Sequence, residues 1–353
     1  MAERANTIAD LSCPTPLRMN DRVLLGHGSG GKLSAELIRD VFLPALNNPV
    51  LSRLDDQAIV NVNGRRLAFT TDSFVVKPLF FRGGDIGSLA VHGTINDLAM
   101  GGATPLFLSA AFIIEEGFPI DQLRRIADSM REAANAASVQ IVTGDTKVVE
   151  KGKGDGVFIN TAGIGIVDDD IDLSAGHAQP GDKVLLSGSI GEHGIAILAQ
   201  REGIEFETTI ESDSAALHTL VAEMLRAGQG IRCMRDPTRG GLSSTLNEIA
   251  AQSQVGIELE ERAIPIREQV ASACELLGLD PLYVANEGKL IAIVDPLSAD
   301  AVLQAMRRHP LGKQARVIGT VKAARSPMVV MRTTLGTTRI VDMLSGDQLP
   351  RIC

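Results

Sequence analysis

Short apolar runs that stop at polar, turn-forming dipeptides recur along this chain and alternate with helical stretches, and no other feature restricts its fold as much. Residues 67–71 run into Asp72-Ser73, 140–143 into Gly144-Asp145 and 231–235 into Asp236-Pro237, each reading as a strand closed by a turn. Leu123, Ile126, Ala127, Met130, Ala133, Ala134 and Ala137 keep the i, i+3, i+4, i+7 spacing of one helix face. Strands alternating with helices predict an α/β or α+β protein.

A break divides the pattern. Between the apolar runs 157–167 and 184–187 stand Asp168-Asp169-Asp170, Gly176, Pro180 and Gly181. At ~100–200 residues per domain, 353 residues suit two domains. The expected organisation is a polar extension over 1–21, an N-terminal domain over 22–167, a linker over 168–182, a C-terminal α/β domain over 183–344 and a free tail over 345–353. In the second half, helices are expected near 214–226, 242–253 and 267–277, and strands near 255–259, 290–294 and 316–321.

A net charge of -9 without a basic stripe, and only 3% aromatic residues, leave neither the electrostatic footprint nor the stacking platform for nucleic acid. No run approaches the ~18 apolar residues of a membrane span, and residues 1–21 lack the apolar core of a secretory signal, which predicts a cytoplasmic location and no membrane partner. Cys13, Cys233, Cys274 and Cys353 are too dispersed for a zinc site or a disulfide framework.

The cluster Gly26-His27-Gly28-Ser29-Gly30-Gly31-Lys32 nearly spells a P-loop, but Leu33 lacks the hydroxyl that such a loop offers to Mg²⁺. It can still present backbone N–H groups to phosphate, or merely turn the chain and cap a helix. Acids follow at Asp55-Asp56, Asp72, Asp97, Asp145 and Asp236. Each alone reads as a turn former or helix cap. As a set, several sit beside apolar runs, where a carboxylate is costly to bury without a cation. Oxygen ligands without His or Cys suit Mg²⁺ together with substrate phosphates. Lys147 and Arg239 place cations close behind Asp145 and Asp236, as salt-bridge partners or phosphate contacts. Glu287 stands just before the run at 290–294, where a solvated turn is the ordinary expectation. The terminal Pro350-Arg351-Ile352-Cys353 is no prenylation box. Its tail of nine residues at ~3.3–3.6 Å each lets the thiol swing through about 30 Å.

Taken together, His27-Gly28-Ser29-Gly30-Gly31, Thr71-Asp72-Ser73, Asn96-Asp97, Val142-Thr143-Gly144-Asp145-Thr146-Lys147-Val148-Val149, Asp236-x-Thr238-Arg239-Gly240-Gly241, Asn286-Glu287-Gly288-Lys289-Leu290 and the terminal tetrapeptide resemble the HypE family of hydrogenase maturation factors. That family belongs to the aminoimidazole ribonucleotide synthetase-like ATP-binding superfamily, and the likeness runs from about Leu25 to Cys353. It implies a two-domain α/β (α+β) fold of that type with a flexible C-terminal tail, and a homodimer. It also implies a reaction. A HypF-like carbamoyltransferase carbamoylates the terminal thiol, and ATP then drives dehydration of the S-carboxamide to a thiocyanate, the source of the iron cyanide ligand of [NiFe] hydrogenase. A HypC-HypD-like iron scaffold complex is a further implied partner.

Carried onto this chain, the resemblance makes Cys353 the carrier and places Lys147 and Glu287 where proton removal is assigned. It gives the nucleotide to Gly28, Ser29, Gly30 and Gly31, to Asp72, Asn96 and Asp97, to Gly144, Asp145 and Thr146, and to Arg239 and Gly240. Asp55, Asp72, Asp97, Asp145 and Asp236 are its candidates for Mg²⁺. The chemistry agrees with these residue types. An amide oxygen leaves poorly, phosphorylation turns it into phosphate, and a carboxylate sheltered from water can take the N–H proton. The competing readings are a P-loop NTPase, with Asp295 after the run at 290–294 as its acidic strand end, and a cysteine-tailed scaffold that does not turn over ATP.

Overall fold

The structure is a computed structural model that describes residues 22–204 and 210–346. The extension over 1–21, Cys13 and Cys353 lie outside the described residues.

The first half comprises α1 (Lys32–Leu37), α2 (Leu43–Leu46), β1 (Ala58–Val62), β2 (Arg65–Phe74), the small hairpin of β3 (Phe80–Phe81) and β4 (Gly84–Asp85), α3 (Ile86–Met100), β5 (Thr104–Glu115), α4 (Ile120–Ala136), β6 (Gln140–Val149) and β7 (Val157–Val167). Five of these strands form a sheet in the order β1-β2-β7-β5-β6, antiparallel except for the β5–β6 pair. Alternation decides its two faces. In β7, Val157, Ile159, Thr161, Gly163, Gly165 and Val167 are buried, and the residues between them point the other way. The inner face packs on α3 and α4 through Leu89, Ile95, Ile126 and Met130 against Phe74, Leu108 and Ile159. No helix among the described residues covers the outer face, where Val60, Phe69, Phe107, Ile113, Ile164 and Ile166 are exposed. Phe69 and Phe107 flank Ile164 directly in register.

The second half comprises β8 (Lys183–Leu186), α5 (Glu192–Glu202), α6 (His218–Ala227), β9 (Ile231–Arg235), α7 (Gly241–Ser253), β10 (Gly256–Glu260), α8 (Glu268–Leu277), β11 (Ile291–Val294), α9 (Ala299–Arg308), β12 (Arg316–Lys322), β13 (Met328–Arg332) and β14 (Thr338–Ile340). Its seven-stranded sheet runs β14-β13-β10-β12-β8-β11-β9. Leu242, Leu246 and Ile249 of α7 cover one face. Leu220 and Met224 of α6, with Val302 and Met306 of α9, cover the other. β11, paired on both sides by β8 and β9 and covered on both faces, is therefore buried at every position. Ala99 and Met100 at the end of α3 join that second cluster, so α3 packs into both halves.

Two expected turns are not turns. Asp72-Ser73 lies inside β2 and Gly144-Asp145 inside β6, because pairing continues past the polar dipeptides: Asp72 faces Thr161 and Ser73 faces Asn160 across the ladder. Gly144 is needed because a Cβ there would collide with the Ala110 carbonyl. The P-loop alternative fails on architecture. Residues 23–24 form no strand and residues 25–28 are a short 3-10 turn, so no strand leads into the glycines. No helix among the described residues is long and apolar enough to cross a membrane.

Candidate functional site

Polar groups converge where the start of β1, the inner face of β2, α3 and the β9–α7 turn meet. One carboxylate oxygen from each of Asp56, Asp97 and Asp236 lies within 4.8 Å of the others. The Thr70 hydroxyl lies 2.9 Å from both Asp97 Oδ2 and the Asp56 carbonyl. Arg235 Nε is 2.9 Å from Asp56 Oδ1, close enough for charge pairing though not aligned as a hydrogen bond. Its Nη2 donates to Glu248 at 2.7 Å. Burial pushes Asp236 up to about 6, with the Asp72 charge adding to it. Burial, then Asp236, Asp72 and Asp56, holds Asp97 well above the usual carboxylate range, and burial does the same for Asp56. Asp56 Oδ2 is buried with no hydrogen-bond partner among the described residues. Acids crowded in this way, with an oxygen left over, form a donor set that a hard divalent cation fits.

Asp55 does not join them. Its Oδ1 accepts from Ser174 Oγ and the Ala175 N–H, both at 3.1 Å, and its Oδ2 from Arg53 at 2.9 Å. The neighbouring acid, Asp56, is the one that reaches the cluster. Asp72 borders it from β2, raised by burial against the opposing pull of Arg239. Asn96 does not face an open site. Its amide donates to the carbonyls of Ala215 and Glu287 at 3.1 and 3.3 Å, and its Oδ1 accepts from the Leu217 N–H at 2.8 Å, so it braces α3 against the second half.

Glu287 overturns the expectation of a solvated turn, since it is only 3% exposed and its Oε1 is buried without a partner among the described residues. The turn can be buried because Asp213, far away in sequence, satisfies it. The carboxylate of Asp213 accepts from the N–H of Glu287 at 3.1 Å and of Gly288 at 3.3 Å, and from Lys289 Nζ at 2.8 Å. Burial alone would raise Asp213, yet the Lys289 ammonium holds it below its usual range. Glu287 itself is driven well above its usual range by burial, then by Asp236, Asp72 and Asp213.

Of the glycine loop, Gly28 accepts from Arg239 Nη1 at 3.2 Å, and a Cβ on Gly30 would lie 2.5 Å from the Arg239 carbonyl. The loop thus rests on Arg239-Gly240, where Gly240 takes a φ of +78°. Ser29 and Gly31 turn instead to residues 344–346.

Asp145 and Lys147 stand elsewhere. They pair with Ala111 and Ile113 in the β5–β6 register, which puts both on the uncovered outer face, where they are joined 2.7 Å apart. Asp72 pairs with the fully buried Thr161 on the inner face, so the sheet stands between it and Asp145. Gly144 and Thr146 pair with Ala110 and Phe112 and turn inward from β6, at the edge of the sheet. Sequence reasoning missed Asp213 and Lys289 as supports of Glu287. Asp213 carries no local motif, and its partners lie 74 to 76 residues away.

Against known proteins, residues 54–167 match the N-terminal domain and residues 179–332 the C-terminal domain of the AIR synthase related protein family. A carbamoyl dehydratase HypE of Rhizobium leguminosarum bv. viciae is 60% identical over 335 residues, covering 95% of this chain and 96% of the relative. That of Escherichia coli (strain K12) is 45% identical over 338 residues, 94% of this chain and 100% of the relative. Among solved structures, a HypE-HypF complex aligns with a TM-score of 0.83 at 49% identity, covering 87% of this chain and 99% of that chain. HypE in complex with ATP aligns with a TM-score of 0.80 at 51% identity, covering 94% of this chain and 100% of that chain.

Proposed function

This chain belongs to the HypE family of carbamoyl dehydratases, and from that premise we propose that it uses ATP to dehydrate a carbamoyl group carried on Cys353 to a thiocyanate, which supplies the cyanide ligand in hydrogenase maturation. The observation that carries this reading is Glu287, a buried carboxyl with an oxygen that has no partner among the described residues, electrostatically coupled to the acidic cluster. In the reaction, the carbamoyl oxygen takes the γ-phosphoryl group of ATP and an N–H proton is lost. The C–O bond then breaks, phosphate leaves with that oxygen, and loss of the second N–H proton completes C≡N. Glu287, raised by burial and neighbouring acids, is a stronger base than an ordinary carboxylate and is suited to accept a proton from nitrogen. Arg239 brings a cation to the same acids, pulling against the burial that raises Asp72 and Glu287. Mg²⁺, held by Asp56, Asp97 and Asp236, would offset negative charge on the transferring phosphoryl group.

Intact-mass analysis tests this. After treatment with a HypF-like carbamoyltransferase, carbamoyl phosphate and ATP, the C-terminal peptide should gain one carbamoyl group and then lose one water. Retention of that water in the wild type rejects dehydration.

Metal binding gives two further expected results. Asp97→Asn keeps size and removes one charge, so affinity for Mg-ATP should fall by roughly tenfold or more, about 1.4 kcal/mol per tenfold. Wild-type affinity in calorimetric titration would assign Asp97 to structure. Ligating carboxylates must be deprotonated. Asp236 takes up a proton as pH falls through about 6, so Mg²⁺ binding should weaken below that pH and recover above it. A titration flat between pH 5 and 8 would count against Asp236 as a ligand.

The uncovered apolar face of the first sheet supports a homodimer formed by two such faces across a two-fold axis. Pairing there carries Asp145 and Lys147 into the interface, from which Lys147 can serve the partner's site. Sedimentation should give a dimer mass that Phe107→Asp reduces to the monomer. A wild-type monomer at micromolar concentration rejects the pairing. The proposed setting is the cytoplasm, with a HypF-like transferase and a HypC-HypD-like iron scaffold as partners.

A further inference from the structure

The glycine-rich loop is built against the segment that leads into the tail. The N–H of Lys32 donates to the Leu344 carbonyl at 2.9 Å, and Lys32 Nζ meets Asp342 Oδ2 at 2.6 Å. Ser29 Oγ lies 3.3 Å from the Gly346 carbonyl. A Cβ on Gly31 would collide with the Leu344 carbonyl, so only glycine allows the two backbones this approach. The same segment is held one step earlier by α7, where Ser243 Oγ donates to the Asp342 carbonyl at 2.5 Å and Asn247 to the Val341 carbonyl at 2.8 Å. The loop's other glycines, Gly28 and Gly30, rest on Arg239 beside Asp236. One loop therefore touches both the wall of the acidic site and the root of the tail.

Building on the proposed dehydration at Cys353, we propose that Ser29, Gly31 and Lys32 are positioning residues: they clasp the root of the tail and so fix the point from which the carbamoylated thiol reaches the site. The ion pair with Asp342 is exposed and contributes little. The register comes from the Lys32 backbone bond and the Gly31 fit.

From Gly346 seven residues remain, spanning at most about 25 Å. If the clasp opens, the last hold is Asp342, and the tether grows to eleven residues. Effective concentration falls roughly as the −3/2 power of tether length, which alone predicts about a twofold loss. Loss of orientation at the reacting group adds to it.

Lys32→Pro is the chosen probe. Lys32 is the first residue of α1, where proline is tolerated and the amide has no helical partner to lose. The substitution removes the bond to Leu344 and the ammonium together. Gly31→Ala is the second probe, acting through the steric fit alone.

In single-turnover assays, both variants should be carbamoylated as the wild type is and keep its half-saturating ATP concentration. Conversion of the carbamoyl group to thiocyanate at saturating ATP should slow by at least about twofold. Conversion at the wild-type rate in both variants overturns the clasp. So does a raised half-saturating ATP concentration with an unchanged maximal rate, which would give the loop to the nucleotide. A wild type that takes the carbamoyl group and never loses water sinks the dehydration reading instead, so the two failures are distinct.

Discussion

Cys353→Ala is expected to bind ATP as the wild type does and never to gain a carbamoyl group. The two described cysteines offer no substitute. Cys233 and Cys274 are buried, and burial pushes both thiols up, Cys274 to about 11. At neutral pH a thiol with that value is ionised in only about one molecule in ten thousand, and it is the thiolate that attacks. Intact-mass analysis after exposure to the carbamoyltransferase and carbamoyl phosphate reads the result directly. A carbamoyl group found on Cys353→Ala would remove the thiol from its role as carrier, whatever else the protein does.

Glu287→Gln is expected to accept the carbamoyl group on Cys353 and then stall. Glutamine has the shape of glutamate but cannot take a proton, and a positioned base contributes roughly 10²–10⁴ in rate. Stability should not suffer. The substitution removes a buried group that Asp236, Asp72 and Asp213 all disfavour in its charged form, and the turn stays tied to Asp213 through its backbone N–H groups. The pH dependence separates this from a packing defect. A base must start ionised, and Glu287 ionises above the usual carboxylate range, so wild-type conversion should still climb with pH beyond that range and that rise should be missing from the variant. Single-turnover conversion within tenfold of wild type, with the rise intact, would take the proton from Glu287 and give it to another group.

Local pattern was enough for much of the architecture. The spacing of Leu123, Ile126 and Met130 requires an amphipathic helix, and α4 is that helix. The run at 290–294 is apolar throughout because its strand is covered on both faces. Asp97 and Asp236 stood out as acids beside apolar runs, and they do meet. The family resemblance, carried by short motifs scattered over the whole chain, agrees with relatives 45% to 60% identical over nearly its full length.

What periodicity cannot supply is where a side chain points once its strand is paired, or what distant segment lies over a turn. The ladder with β7 carries β2 past Asp72, and the β5–β6 register turns Asp145 and Lys147 away from Asp72. Asp56 faces the cluster while Asp55 turns to Ser174 and Arg53, a choice between neighbours that nothing in the pair Asp-Asp signals. Glu287 reads as solvated because the residue that satisfies its turn, Asp213, is remote in sequence. Local spacing and composition sufficed for most of the elements and for the chemical types available, but not for how far β2 and β6 run. Tertiary structure alone decided which acids share a site, because burial and charge coupling depend on contacts between segments that only folding brings together.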